Sequence, residues 1–191
     1  MGKIIVIDGV DGSGKGTQYR LLKDRLEKEK YVLYKFAFPR YKDEASIFIR
    51  RYLEGMYGER PGDVSAYQAS LCYAMDRFDA IKANPEFRDA MTDPNVIMLT
   101  DRYTTSNLIH QGPKITDIQE RKKFNSWLWN LEYEILGIPK PDMVIIPILE
   151  TEANIQLIRN RDISTRANDN NMSKDIHESD NEYLRQTIAT C

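Results

Sequence analysis

Nine residues near the start, Gly9-Val10-Asp11-Gly12-Ser13-Gly14-Lys15-Gly16-Thr17, constrain this chain more than any other stretch. They follow an apolar run, Ile4–Ile7, and precede a segment with helical periodicity. A strand, a glycine loop and a helix in that order make a cradle for nucleotide phosphates. The loop's backbone N–H groups converge on anionic oxygens, and the helix N-terminus adds partial positive charge. Glycine is needed where the loop takes angles that a Cβ forbids, or where phosphate must come close. Gly9, Asp11, Gly12, Ser13, Gly14, Lys15, Gly16 and Thr17 are the expected phosphate-holding residues, with Lys15 reaching the β- and γ-phosphates. A hydroxyl normally follows the lysine to meet Mg²⁺; here Gly16 stands in that place and the hydroxyl comes one later, at Thr17.

The 191 residues suffice for one domain with a substantial core. A net charge of −2 argues against a general nucleic-acid surface, so an anion site must be a local concentration of Arg and Lys. Cys72 and Cys191 are too few for a disulfide framework, and with His110 and His177 isolated no zinc site is expected. Nothing reads as a signal peptide and no apolar run could span a membrane, so a reduced, cytoplasmic setting is the expectation.

Hydrophobic patterning predicts four strands, at Lys3–Asp8, Tyr31–Ala37, Asn95–Thr100 and Met143–Leu149, the last oddly carrying Pro147. Helices are expected between them. Tyr19, Leu22 and Leu26 form one stripe, and Ala45–Glu54 a short helix. Ser65-x-x-Gln68 opens a long helix to about Ala83, with Val64, Tyr67, Leu71, Met75 and Phe78 as its core stripe. A short helix follows Asn84-Pro85, and Thr116-x-x-Gln119 opens another with the stripe Phe124, Leu128, Leu131 and Ile135. Glu152–Asn160 reads as helical, Arg161–Lys174 as a mobile polar loop, and Ser179-x-x-Glu182 opens a last helix carrying Leu184, Ile188 and Cys191 on one face. Alternating strands and helices give an α/β domain with a parallel sheet, in which ligands gather beyond the carboxyl ends of the strands. The glycine loop, Arg40 and Asp101-Arg102 all lie at such ends, so they are expected to converge.

Asp101, ending an apolar strand, suits a Mg²⁺-associated carboxylate; alternatively it caps the next helix, and the loop upstream favours the metal. Arg40 and Arg102 suit bidentate phosphate contacts, although either taken singly could be a surface arginine. At about 100° per residue Tyr73 and Arg77 lie about 40° apart, with Tyr73 about 140° from the predicted core stripe. A tyrosine and an arginine on that face suit stacking on a base and bonding to its edge; a second buried surface, such as a subunit interface, is the alternative. Arg159, Arg161, Arg166 and Lys174 sit in or beside the polar loop, which could close over phosphates or be a plain solvated loop.

Taken together, GVDGSGKGT, Phe38-Pro39-Arg40, Tyr73-Ala74-Met75-Asp76-Arg77, Asp101 to Asn107 (DRYTTSN) and Asp175-Ile176-His177-Glu178 resemble the thymidylate kinases, in the same order from Lys3 to about Arg185. The resemblance implies a P-loop NTPase fold, three-layer α/β/α around a central parallel sheet. Four strands are visible in the sequence where the family has five. It also implies a single kinase domain over residues 1–191 with a lid at about 159–176. Relatives continue past this C-terminus with a strand and helix, so a chain ending at Cys191 would be expected to leave the adenine pocket incomplete.

The implied activity is transfer of the γ-phosphoryl of ATP to dTMP with Mg²⁺ as cofactor, in a homodimer. Lys15, Asp101 and Arg102 would be catalytic, together with one lid arginine among Arg159, Arg161 and Arg166, since Gly12 leaves the phosphate loop without one. Asp11 would accept a hydrogen bond from the acceptor's 3′-hydroxyl. Arg40 and Arg102 would hold the acceptor phosphate, and Tyr73 would stack on thymine. Arg77 and Asn107 would bond the base, and Phe38, Ser106 and Gln111 would line that pocket. Thr17 and Asp101 would lie at Mg²⁺. The GKGT form is shared with adenylate kinases, which keeps another nucleoside monophosphate kinase as the runner-up; a nucleotide-binding relative without turnover is the third reading.

Overall fold

In the computed structural model, which describes residues 1–149 together with Tyr183, Arg185 and Thr187, the sheet is built from four parallel strands. These are β1 (Lys3–Ile7), β2 (Val32–Ala37), β3 (Val96–Asp101) and β4 (Met143–Ile145), in the order β2-β3-β1-β4. The register sets Ile7, Ala37 and Asp101 level with one another, so the chain leaves β1, β2 and β3 at one edge of the sheet. The loops that follow them carry Gly9–Thr17, Arg40 and Arg102 at that edge. β4 stops at Ile145, four residues short of the predicted strand. Pro147 offers no N–H for a ladder, so regular pairing ends ahead of it.

Six helices are described: α1 (Lys15–Lys28), α2 (Ile47–Leu53), α3 (Ala66–Ala83), α4 (Pro85–Thr92), α5 (Thr105–Gln111) and α6 (Ile118–Trp129). α1 packs along β1, β2 and β3 with Tyr19, Leu22 and Leu26 half-buried, as its periodicity predicts. Alternate residues of β1 and β3 (Ile4, Val6, Val96, Met98) form the main core with Ala80 and Ile81 of α3 and Phe87 and Ala90 of α4. A second cluster joins Ile49, Tyr52 and Leu53 of α2 to Ala69 of α3, and a third joins Ala66 to Phe124 and Leu128 of α6.

Three expectations are corrected. The buried residues of α3 are Ala66, Ala69, Ser70, Ala74, Asp76, Arg77, Ala80 and Ile81, whereas the predicted core residues Leu71 and Met75 are exposed. Small residues let α3 approach α2 and α5 closely, and that contact decides the face over bulk apolarity. The Ser65/Gln68 capping box forms as predicted. At α6 the cap is Asp117, accepting from the Glu120 N–H, one residue past the predicted Thr116. After Trp129 the helix widens into a π-helical turn, Asn130–Ile135, closed by a bond from the Leu136 N–H to the Leu131 carbonyl. The wider turn rotates the later residues: Leu131 stays in the core, Glu132 comes inside, and Ile135 is turned out to solvent. α5 has no counterpart among the predicted helices. The predicted helices at Glu152–Asn160 and from Ser179, the lid at 159–176 and the C-terminal bound of the 1–191 domain lie wholly or largely outside the described residues; Tyr183, Arg185 and Thr187 are helical.

Candidate active site

The phosphate loop takes the conformations its glycines allow: φ is +140° at Gly9, +78° at Gly12 and +81° at Gly14, which caps the N-terminus of α1. A Cβ at Gly9 would stand 3.1 Å from Ser13 Oγ, itself buried and without a hydrogen-bond partner. Ser13 and Gly12 are buried in the loop, while Gly16 and Thr17 are exposed on the first turn of α1. Lys15 is buried, and its Nζ donates to Asp11 Oδ1 at 3.0 Å. Burial lowers its pKa and Arg102 lowers it further, against the opposing pull of Asp11 and Asp101.

Asp8, at the end of β1, has no solvent exposure and was not among the expected site residues. Its carboxylate accepts from the Gly9 N–H, from Thr105 Oγ1 and from Ser106 Oγ at 2.6 Å. It thereby fastens the phosphate loop to the first turn of α5. Ser106 is turned to this clamp, and its hydroxyl bonds Asp8. An aspartate directly before the first loop glycine, with Thr-Ser after the third strand, was the available signal.

Arg102 has a φ of +65°, and its N–H donates to the Ile7 carbonyl at 2.9 Å. The left-handed backbone sends the side chain back over the loop. Nη2 donates to Asp11 Oδ1 at 2.6 Å, and Nη1 lies 3.3 Å from the Gly9 carbonyl and 2.6 Å from His110 Nε2. Burial opposes the charge, but Asp11, Asp8 and Asp101 outweigh it and hold the guanidinium firmly protonated. Asp11 therefore joins Lys15 to Arg102, linking the loop lysine to the arginine beyond β3.

Asp101 ends β3 close to both cations. Burial raises its pKa, Lys15 and Arg102 pull it down, and Asp8 and Asp11 push it up again. Its Oδ1 is buried with no hydrogen-bond partner. An orphaned carboxylate oxygen beside a phosphate loop fits Mg²⁺, which takes one or two carboxylates and otherwise uses water and phosphate oxygens. Among the described residues no group of three or more His, Cys, Asp or Glu is placed to hold a metal ion.

Arg40 faces α3. Its Nε and backbone N–H donate to the two oxygens of Asp76 at 2.9 Å each, Nη2 donates to Asp79 at 2.7 Å, and Nη1 to Asp43 at 3.2 Å. Burial works against its charge, and Asp79, Asp76 and Asp43 raise its pKa regardless. Phe38 is buried against Phe36 and Tyr103 in the main core, while Tyr73 is half-buried against the α2 cluster.

Arg77 lies on the inner face of α3, 2% exposed, paired with Glu132 of the π turn. Its Nε donates to Glu132 Oε2 at 2.7 Å and Nη2 donates to Oε1. Asn107 of α5 donates to the same Oε1 at 3.0 Å and reaches the Ser70 carbonyl at 3.3 Å. Ser70 Oγ and Gln111 Oε1 are buried without hydrogen-bond partners. Arg77, Asn107 and Gln111 are thus buried side chains of α3 and α5, with Glu132 as a partner that its place beside Glu134 in the sequence does not announce. Arg159, Arg161 and Arg166 lie outside the described residues.

The family model described as Thymidylate kinase matches residues 7–189. The chain is similar to the thymidylate kinase of Mycobacterium tuberculosis (strain H37Rv), 29% identical over 188 residues, covering 97% of this chain and 82% of that protein. It is 31% identical over 160 residues to probable thymidylate kinase 1 of Saccharolobus solfataricus, covering 84% and 72%. It is 27% identical over 144 residues to human thymidylate kinase, covering 75% and 59%. A match over so much of the chain places it in the thymidylate kinase family.

Proposed function

We propose that this chain transfers the γ-phosphoryl group of ATP to dTMP, giving dTDP and ADP. The observation that carries this reading is the junction Lys15–Asp11–Arg102 at the level ends of β1 and β3, in a chain of this family. An oxygen of the acceptor phosphate attacks the γ-phosphorus as the bond to the β–γ bridging oxygen breaks, and the electron pair leaves with ADP. A phosphate acceptor is already anionic, so positioning and charge do most of the work and no strong base is needed. The loop amides and Lys15 hold the donor phosphates, and Arg102 holds the acceptor phosphate. Arg40, released from its carboxylates, is a second candidate for that contact. Mg²⁺, when bound, neutralises charge between the donor phosphates, with Asp101 and Thr17 as the residues that would hold it.

Asp11 accepts the acceptor's sugar hydroxyl, Tyr73 stacks on the base, and Arg77, Asn107 and Gln111 bond its edge. One lid arginine among Arg159, Arg161 and Arg166 completes the charge. Alanine at that position is expected to lower kcat with little change in either KM; intact kcat in all three single variants would remove the lid from the mechanism. The exposed Leu71 and Met75, one turn apart on α3, support a homodimer. A coupled ADP-release assay across dTMP, dUMP, AMP, CMP and GMP tests the reading. Preference for dTMP is expected, and preference for AMP or no turnover overturns it.

A further inference from the structure

We infer that His110 is a positioning residue for Arg102, fixing which edge of the guanidinium is offered to the acceptor phosphate; this rests on the assignment of that phosphate to Arg102. A guanidinium carries five N–H donors and no acceptor. The Gly9 carbonyl and His110 Nε2 take the two hydrogens on Nη1, and Asp11 takes one on Nη2. Among the described residues the Nε–H and the remaining Nη2–H of Arg102 have no hydrogen-bond partner. Those two donors suit a pair of phosphate oxygens in the bidentate manner. Arg77 uses the same two nitrogens, Nε and Nη2, for the two oxygens of Glu132, so this chain shows that mode once already.

His110 is the side chain that makes this arrangement specific. A guanidinium can only donate, so Nε2 at 2.6 Å accepts, and the imidazole proton sits on Nδ1. Without that acceptor, Nη1 keeps only the 3.3 Å contact to the Gly9 carbonyl. The guanidinium can then rotate about its last torsions, and its Nη1–Nη2 edge competes for the phosphate. His110 is itself fixed, since α5 is fastened by Asp8 at its first turn and the Tyr183 hydroxyl donates to the His110 carbonyl near its end. The contact thus connects Tyr183, α5 and the phosphate loop, through His110 and one arginine.

The test is steady-state kinetics on the full chain with three variants. His110→Leu removes the acceptor and keeps bulk at a half-buried position, and is expected to raise the KM for dTMP about tenfold while the KM for ATP and kcat move little. His110→Gln, whose Oε1 can stand where Nε2 was, is expected to restore most of the lost affinity. Arg102→Ala serves as the reference. If it raises the KM for dTMP and His110→Leu does not, the positioning role is overturned and the phosphate assignment stands. Equal loss in the Leu and Gln variants overturns it as well, since only packing would then matter. If Arg102→Ala leaves the KM for dTMP unchanged, the underlying phosphate assignment fails. Should His110→Leu not fold, as judged by circular dichroism, His110→Phe carries the same expectation.

Discussion

Lys114 donates to the Tyr52 hydroxyl at 2.8 Å and the Val64 carbonyl at 3.0 Å, with its Nζ 4.9 Å above the Tyr52 ring centre. Burial brings its pKa down from an ordinary 10.5 to about 7. Between those two values the unfolded chain binds the proton and the folded chain releases it, so this group makes stability rise with pH across that window. Well below pH 7 both states hold the proton and the full cost of burying the charge is present. Lys114→Met, which keeps the stem, is expected to flatten the rise in thermal midpoint between pH 7 and pH 9; an unchanged slope would show that the ammonium is better solvated than its contacts indicate. Residues of this kind mark the limit of the sequence. The phosphate loop, Asp101 and Arg102 could be read because glycine spacing and strand ends carry their meaning locally. Asp8, His110 and Glu132 could not, because each is defined by a distant partner: 8 residues away for His110, 55 for Glu132 and 98 for Asp8.

Elements show the same division. β1 and β3 were legible because largely buried apolar runs rich in β-branched residues read clearly, β2 because its run of apolar and aromatic residues reads as a strand even at the sheet edge, and β4 failed only where proline overruled apolarity. α3 was placed correctly and its buried face misread: its inner side is mostly alanine with a serine, an aspartate, an arginine and one isoleucine, so the large apolar residues Leu71 and Met75 pointed to the wrong side. That error first set Arg77 away from the core, whereas it is buried among α3, α5 and the π turn. The π turn matters because it presents Glu132 inward. Removing one member of a buried pair strands the other charge at a cost of about 3–5 kcal/mol, whereas removing both is far milder. Glu132→Ala is therefore expected to lower unfolding free energy by that order in urea titrations. The double variant Glu132→Leu with Arg77→Met should recover most of it while binding dTMP poorly. Equal instability in the single and double variants would mean that packing around the turn, and not the stranded charge, sets the loss.

At the scale of the molecule, Leu71 and Met75 stand 42% and 47% exposed on a helix whose opposite side carries the base-contact candidates. A covering copy of the chain would bury them and stiffen α3 at the same time. Wild-type protein at micromolar concentration is expected to sediment as a dimer, and Leu71→Asp or Met75→Asp to shift it towards monomer with a raised KM for dTMP. A monomeric wild type would leave that apolar pair without a role in assembly. The fold also sets a tension at one position. Arg102 holds a left-handed backbone that costs an L-residue on the order of 1–2 kcal/mol, which a glycine would relieve. Substitutions selected for folding alone should therefore drift towards glycine there, and those selected for turnover should not. Position 102 is where a screen for thermal tolerance and a screen for activity are expected to disagree most sharply.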